Sequence, residues 1–416
     1  MRTRLLLAAL TCSWVLAPAP ASSQTPVDLE MTARIKEEGL DRSQALELYH
    51  TLTDEIGGRL TGSPAHDQAA AWARDRFAEW GLTEARLEPF EFGRGWSLEK
   101  LSIEMVSPRY TPLIGYAEAW TPSIDGVLSG PVVYLGDKTA AEVEAMQSAL
   151  RGAIVLTHQP QTEFRDADRP QPGVGETVRT GNPPRIRPNA TTPPRQMREL
   201  LQEAGAGVSL RPSEYRDGTV GVGGSRTTGN DAVPSIVLAA EQYNMIARNL
   251  ASGVPVELRV ELRTRYDEGD TRTFNVIAEI PGSDPALRDE IVLVGAHLDS
   301  WHASSGATDN GDGAIAVMEA MRILAELDAR PRRTIRVALW SGEEQGLLGA
   351  RAYIEDHLAD QASREKLAVY LNDDPGSGAT LGFYMQGNQV AKTLFDAWLE
   401  PLRDLGVTRN IIDGIG

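Results

Sequence analysis

Short apolar runs alternate with helical patterns in the C-terminal part of the chain. Four runs, at 274–280, 291–294, 335–340 and 367–371, have the length and the β-branched content of buried strands. Helical spacing of apolar residues follows Asp309 and Gly346. This alternation predicts an α/β fold with a mixed, mostly parallel sheet flanked by helices. A short strand at 383–385 and an amphipathic helix at 390–405 complete the pattern.

The earlier part of the chain changes character twice. Two helices between 29 and 80 precede strands at 87–92 and 101–106. From 111 to 265, short apolar runs are separated by loops that contain Pro and Gly, which predicts a separate β-rich insert with a long loop at 159–195. We therefore expect residues 22–110 and 266–416 to form one domain around the insert.

The N-terminus has the pattern of an export signal over residues 1–21. Arg2 and Arg4 precede an apolar run at 5–16, and small residues at 17–21 offer a cleavage site. The run is shorter than the roughly 20 apolar residues that span a bilayer. We expect a secreted or periplasmic protein without a membrane segment, and a retained N-terminal anchor is the alternative.

The charge and the cysteine content limit which partners and which metal ligands the protein can have. The formal net charge is −17, which argues against a nucleic-acid partner. Cys12, the single cysteine, lies inside the export signal. The mature chain can form neither disulfides nor thiolate metal sites, so any metal must be held by His, Asp and Glu.

Such residues follow the predicted strands at the points where the strands end. The candidates come after the runs at 291–294, 335–340 and 367–371, and they are His297, Asp299, Asp309, Glu343, Glu344 and Asp374. Open α/β sheets bind ligands at the carboxyl edge of their strands. Imidazole and carboxylates that converge at one edge predict a divalent metal site there.

Each candidate taken alone has an ordinary structural explanation. His297 could be a hydrogen-bonded loop residue, and Asp309 could cap the helix that follows it. The pair Glu343 and Glu344 could be acids at a helix N-terminus, and Asp374, before a proline, could belong to a turn. The prediction of a metal site therefore rests on the whole set.

The order and spacing of these motifs resemble a known family. GAHLDS at 295–300, ATDNG at 307–311, the glutamate pair at 343–344 and NDD at 372–374 resemble the co-catalytic zinc exopeptidase family of plasma glutamate carboxypeptidase (carboxypeptidase Q) and bacterial leucyl aminopeptidases. RLTGS at 59–63 extends the likeness weakly. The resemblance implies the zinc exopeptidase fold, a protease-associated insert domain, two Zn²⁺ ions, small peptide substrates and, as in related enzymes, a homodimer.

The resemblance also implies a role for each residue. His297 and Asp374 would bind one zinc, Asp309 would bridge both ions, and Glu344 would bind the other. Asp299 would stand behind His297 and fix its tautomer. Glu343 would be the general base that activates a hydroxide bridging the metals.

One family feature has no match in this sequence. The family's last zinc ligand is a histidine well beyond Asp374, and none of the six histidines here lies in that place. We therefore expect a C-terminally truncated fragment in which one zinc lacks a ligand. Two alternatives stay open: an inactive binding protein with the same fold, and a single-zinc relative of glutaminyl cyclase. Recognition of the free amine or of the free carboxylate of a peptide also stays open.

Overall fold

The computed structural model describes residues 27–165, 188–374 and 378–412. The predicted export signal at 1–21 and most of the predicted loop at 159–195 lie outside these residues. The chain divides into two compact units, Ala33–Gly378 and Ala379–Gly416 with Met1–Thr32. The larger unit contains both β-sheets.

The described residues form eleven α-helices and thirteen strands. The α-helices are α1 Leu29–Asp41, α2 Ala45–His50, α3 Pro64–Glu79, α4 Ala140–Ala145, α5 Gln147–Leu150, α6 Pro194–Ala204, α7 Ala240–Ala251, α8 Asp312–Glu326, α9 Leu348–His357, α10 Gln361–Glu365 and α11 Gln389–Leu399. The strands are β1 Thr83–Glu91, β2 Gly95–Ser107, β3 Thr111–Pro112, β4 Gly115–Ala117, β5 Val127–Tyr134, β6 Ile154–Leu156, β7 Val208–Pro212, β8 Ser235–Leu238, β9 Glu257–Asp267, β10 Arg272–Ile280, β11 Ile291–His297, β12 Thr334–Trp340 and β13 Leu367–Asn372. Two π-helical turns cover Thr51–Ile56 and Ala307–Gly311, and a 3₁₀ helix covers Glu400–Leu405.

The first sheet has five strands in the order β1-β10-β12-β11-β13. The prediction of a mixed α/β sheet is confirmed. Parallel pairing is confined to β12, β11 and β13, whereas β1–β10 and β10–β12 are antiparallel. Buried β11 and β12 carry few polar residues because helices cover the sheet and exclude water from it.

The second sheet has eight strands in the order β3-β2-β9-β5-β6-β7-β8-β4. Parallel pairing joins β5, β6, β7 and β8, and the remaining pairs are antiparallel. Strand β2, which precedes the predicted insert at 111–265, pairs with β9 along most of its length. The second sheet therefore includes β2, which lies before the predicted insert. The division into domains stays a prediction.

Helices α3 and α8 cover one face of the first sheet. Ser63 caps α3 by accepting a hydrogen bond from the His66 N–H, and Pro64 occupies the first helical position, where no N–H is needed. Phe77 and Met318 are fully buried in the core between these helices and the sheet. The helical spacing of apolar residues thus directs one side of each helix into the core.

Two details of the smaller unit differ from the predicted elements. The predicted strand at 383–385 is wrong, because Tyr384 makes only an isolated bridge with Ile411. The predicted helix at 390–405 is α-helical only to Leu399 and continues as a 3₁₀ helix. Pro401 explains the change, because its ring and missing N–H disfavour an α-helix interior.

Across residues 27–165, 188–374 and 378–412, no helix combines the length and the apolar character needed to cross a bilayer.

Replacing Phe77 tests the core between α3 and the first sheet. Phe77→Ala should lower the free energy of unfolding by about 3–5 kcal/mol, because the buried ring is lost and a cavity replaces it. Urea unfolding followed by circular dichroism measures the change. Leu46→Ala is the control, since Leu46 is 87% exposed, and it should change stability by about 0.5 kcal/mol or less. Equal losses in the two variants would contradict the assignment of Phe77 to the core.

Candidate metal centre

Three parallel strands bring the candidate residues to one edge of the first sheet. In the register of the sheet, His297 of β11 lies beside Trp340 of β12, and Gly295 lies beside Asn372 of β13. The residues that directly follow β12 and β13 therefore emerge beside the end of β11. This is the edge at which the sequence predicted a metal site.

His297 is at the centre of the cluster. Its Nε2 atom lies 3.1 Å from Asp309 Oδ1 and 3.2 Å from Asp374 Oδ1, and Glu343 Oε2 is 4.0 Å away. The imidazole is 2% exposed, whereas the side chains of Asp309 and Asp374 are 72% and 39% exposed. The three donor atoms thus line the floor and rim of a site that is open to solvent.

Zinc fits this set of donors. Zinc binds imidazole nitrogen and carboxylate oxygen at about 2.0–2.2 Å, so two ligand atoms of one ion lie roughly 3–3.5 Å apart. One donor atom from each of His297, Asp309 and Asp374 lies within 4.8 Å of the other two. Among the described residues these three form the group that can hold a metal, and Glu344 does not join it.

The loop that carries Asp309 is held by a buried arginine. The Arg59 guanidinium is fully buried and donates hydrogen bonds to the backbone carbonyls of Leu298 at 2.7 Å, Ser305 at 2.8 Å and Gly306 at 2.8 Å. Burial lowers the pKa of Arg59 to about 10, so the side chain stays charged near neutral pH. One cation therefore fixes both ends of the loop between β11 and Asp309.

Asp299 contacts His297 through its backbone carbonyl rather than through its carboxylate. The Nδ1–H of His297 points at the backbone carbonyl of Asp299, 2.9 Å away, and the nearest carboxylate oxygen of Asp299 is 3.6 Å away. The carbonyl therefore sets the tautomer that leaves Nε2 free for a metal. The Asp299 carboxylate, fully buried, accepts hydrogen bonds from the N–H groups of Glu343 and Glu344, each at 3.2 Å.

The two glutamates after β12 have unusual acidities. Burial, together with the negative charges of Asp309 and Asp299, raises the pKa of Glu344 to about 8. Burial also raises the pKa of Glu343, and the Asp374, Asp299 and Asp309 carboxylates add to the effect. Both shifts follow from crowding several acids into one partly buried site.

The same crowding of carboxylates also raises the pKa of His297. Burial alone would lower its pKa, but the nearby carboxylates of Asp299, Asp309 and Asp374 outweigh burial and raise the pKa of His297. In the absence of a cation, a proton on His297 therefore compensates part of the negative charge. A metal ion would take the place of that proton.

Three residues near the cluster were not predicted from the sequence. Arg59 holds the loop before Asp309, Thr61 donates a hydrogen bond to Asp299, and the Asn275 side chain accepts one from the Ser341 N–H. RLTGS at 59–63 contains two of them, and its weak family likeness was the single available signal. Asn275 lies inside a strand, where nothing in the local pattern distinguishes it.

Comparison with known proteins agrees with this site. Residues 275–406 match the model of "Peptidase family M28". Human carboxypeptidase Q is 25% identical over 385 residues, which cover 91% of this chain and 74% of the human protein. The crystal structure of a peptidase M28 precursor from Shewanella amazonensis has a TM-score of 0.66 and 26% identity, and the match covers 93% of this chain and 83% of that one.

The chain is similar to peptidase family M28 over residues 275–406 and to carboxypeptidase Q over most of its length. It is a zinc metalloexopeptidase, as the resemblance predicted. BSAP, a zinc aminopeptidase from Bacillus subtilis, shares the fold, with a TM-score of 0.52, 18% identity and coverage of 89% of this chain and 84% of that one. The predicted fold class is confirmed by these structures.

The pKa shifts predict that zinc binding releases protons. Near neutral pH His297 and Glu344, whose pKa is about 8, hold protons, and a cation bound at the cluster favours the loss of both. We expect about one to two protons to leave per protein, and the zinc affinity to rise as the pH is raised toward about 8. Isothermal titration calorimetry in buffers of different ionisation enthalpy measures the count. An affinity that does not change with pH would contradict the protonation of the metal-free site.

Proposed function

We propose that the protein is an exported exopeptidase that hydrolyses small peptides or dipeptides with two zinc ions and Glu343 as general base. The observation that carries the proposal is the cluster of His297, Asp309 and Asp374 with Glu343 Oε2 4.0 Å from His297 Nε2. Metal ligands and a carboxylate beside them are the groups that metal-dependent hydrolysis needs.

His297, Asp309 and Asp374 would hold the first zinc. Asp309 has a second carboxylate oxygen, so it could share an ion with Glu344, whose acidity responds most strongly to the Asp309 charge after burial. Glu344 and Asp309 would thus provide two ligands of the second zinc, the ion whose remaining family ligand, a histidine, has no match in this sequence. The bound ions would lower the pKa of a water molecule and polarise the substrate carbonyl.

Glu343 would act as the general base that transfers a proton during hydrolysis. Its carboxyl is partly buried and beside the cluster, and its raised pKa brings its acidity closer to neutral, where a general base works best. It would take a proton from the attacking water and return it to the nitrogen of the leaving amine. The Asp299 carboxylate would keep the Glu343 backbone in place through the Glu343 N–H.

The class of substrate follows from the relatives and from the open site. Carboxypeptidase Q cleaves at a carboxyl end by its name, and BSAP is an aminopeptidase by its title. Solvent-exposed Asp309 and Asp374 leave room for a short peptide at the sheet edge. We propose small peptides as substrates. Hydrolysis of dipeptides with blocked and free ends decides which terminus is recognised. A homodimer stays a prediction.

Export is proposed from the sequence at 1–21. The basic start, the apolar run at 5–16 and the small residues after it are the pattern of a cleaved signal. These residues lie outside the described part of the chain. Mass spectrometry of the protein from the culture medium or the periplasm should show a start close to Ala21 or Ser22.

A one-zinc enzyme related to glutaminyl cyclase is the second candidate. The observation that favours it is that the described residues contain one group of three donors, which Glu344 does not join. Zinc stoichiometry of the full-length protein separates the candidates, because the proposed peptidase should bind two ions per chain and the alternative should bind one. The substrate assay should include N-terminal glutaminyl peptides and measure their cyclisation.

Replacing Glu343 tests the proposed mechanism. Glu343→Gln should lower kcat about 100- to 10,000-fold, because the amide cannot accept a proton, and zinc content should stay unchanged. Hydrolysis of dipeptides with free, N-blocked and C-blocked ends, with and without a chelator, measures activity and identifies the recognised terminus.

Glu290→Gln is the matched control for this experiment. Glu290 is partly exposed, pairs with Arg333 and immediately precedes β11, at the strand end opposite the cluster. We expect the Glu290→Gln protein to retain wild-type activity. A Glu343→Gln protein that cleaves at the wild-type rate would remove Glu343 from the mechanism.

A further inference from the structure

The turn that carries Glu343 and Glu344 is held through its backbone N–H groups by side chains from elsewhere in the chain. The N–H of Ser341 donates to Asn275 Oδ1 at 3.1 Å, and the N–H of Gly342 donates to Thr61 Oγ1 at 3.0 Å. The next two N–H groups, of Glu343 and Glu344, donate to the Asp299 carboxylate. Four successive donors thus find side-chain acceptors.

This turn depends on those acceptors because it lies between two regular elements. β12 ends at Trp340 and α9 begins at Leu348. The turn's carbonyls at Ser341, Gly342 and Glu343 accept hydrogen bonds from residues that follow them, up to Gly349. Its N–H groups have no strand partner, so the side chains of Asn275, Thr61 and Asp299 fix their direction.

The Thr61 hydroxyl connects the turn with the Asp299 carboxylate through two hydrogen bonds. Its hydroxyl is fully buried, accepts from the Gly342 N–H and donates to Asp299 Oδ2 at 2.9 Å. The N–H can only donate, so the hydroxyl proton is free to point at the carboxylate. One hydroxyl therefore both holds the turn and orients the carboxylate that holds its next two residues.

The segment around Thr61 is itself tied to the loop that leads to Asp309. The Arg59 N–H donates to Ser300 Oγ at 3.0 Å, and the Ser300 N–H donates to the Arg59 carbonyl at 3.1 Å. With the guanidinium contacts to Ser305 and Gly306, residues 59–61 touch both the Asp309 loop and the glutamate turn.

We propose that Thr61 is a positioning residue that sets the places of Glu343 and Glu344 relative to His297 and Asp309. This inference deepens the proposed function and rests on it for the roles of the two glutamates. Thr61 does not touch substrate in this arrangement. It acts through the Gly342 N–H and the Asp299 carboxylate, and loss of such supporting contacts around metal ligands typically costs about 10- to 100-fold in metal affinity or activity.

Thr334 offers a matched control for a purely structural effect. Like the Thr61 hydroxyl, its hydroxyl accepts from one backbone N–H, that of Gly282 at 3.0 Å, and donates to one oxygen, the Arg288 carbonyl at 2.7 Å, which is neutral where the acceptor of Thr61 is charged. It is nearly buried and is the first residue of β12, at the opposite end of that strand from the glutamate turn. Both Thr61→Val and Thr334→Val should lower the melting temperature, and Thr61→Val should lower it at least as much, because its lost partner is a buried carboxylate.

The experiment compares Thr61→Val, Thr61→Ser and Thr334→Val with the wild-type protein. For Thr61→Val we expect kcat to fall about 10- to 100-fold with KM nearly unchanged, and zinc affinity, measured by titrating zinc chloride against a competing chelator, to fall by a similar factor. Thr61→Ser keeps the hydroxyl and should restore most of both. Thr334→Val should change neither.

Hydrogen–deuterium exchange of the metal-free proteins gives a readout that does not require activity. The amides of Gly342, Glu343 and Glu344 should exchange about 10- to 100-fold faster in Thr61→Val than in the wild-type protein, because their acceptor is lost or reoriented. In Thr334→Val they should exchange at the wild-type rate.

The outcomes separate this inference from the proposed function. If the wild-type protein neither cleaves peptides nor binds zinc, the proposed function fails, and amide exchange still decides whether Thr61 fixes the turn. If the wild-type protein is active but Thr61→Val keeps its kcat, zinc affinity and amide exchange while losing at least as much stability as Thr334→Val, then Thr61 is merely structural and the inference is overturned.

Discussion

The buried carboxylate of Asp299 is the contact on which the arrangement of the site depends. A carboxylate with no exposure to water is costly unless its oxygens receive hydrogen bonds. Here those bonds come from the Thr61 hydroxyl and from the N–H groups of Glu343 and Glu344. Meeting this requirement fixes three segments of chain relative to one another, and the Asp299 carbonyl fixes the His297 ring at the same time.

The electrostatic consequence is a site that is unfavourable without a cation. The three parallel strands place acids side by side. Burial and the repulsion between these acids raise the pKa values of Glu343 and Glu344, and the attraction of the acids for a protonated imidazole raises the pKa of His297. Protons compensate part of this charge in the metal-free protein. A divalent metal ion compensates more of this negative charge than a proton does. The fold therefore holds the carboxylates and the imidazole in a geometry that favours a bound metal over bound protons.

Buried Arg59 supplies hydrogen-bond donors to the loop that precedes Asp309. The loop from Leu298 to Gly306 has little regular structure, so its carbonyls need donors. One guanidinium, with donors arranged in a planar fork, supplies several of them at once. A lysine has a single nitrogen and could not reach carbonyls at both ends of the loop. The site is thus supported by a buried anion and a buried cation on neighbouring loops.

The sequence by itself determined the strands and helices of the first sheet and the residues at its edge. Apolar periodicity is local, so β10, β11, β12 and β13 could be predicted, together with His297, Asp309, Glu343, Glu344 and Asp374 after or between them. Tertiary structure alone decided the pairing of β2 with β9, the use of the Asp299 carbonyl by His297 and the supporting contacts of Arg59 and Thr61. Thr61 meets Asp299 and Gly342 across 238 and 281 residues of sequence, and no local pattern carries information over such a separation. Only the packed chain brings those hydrogen-bonding groups within reach.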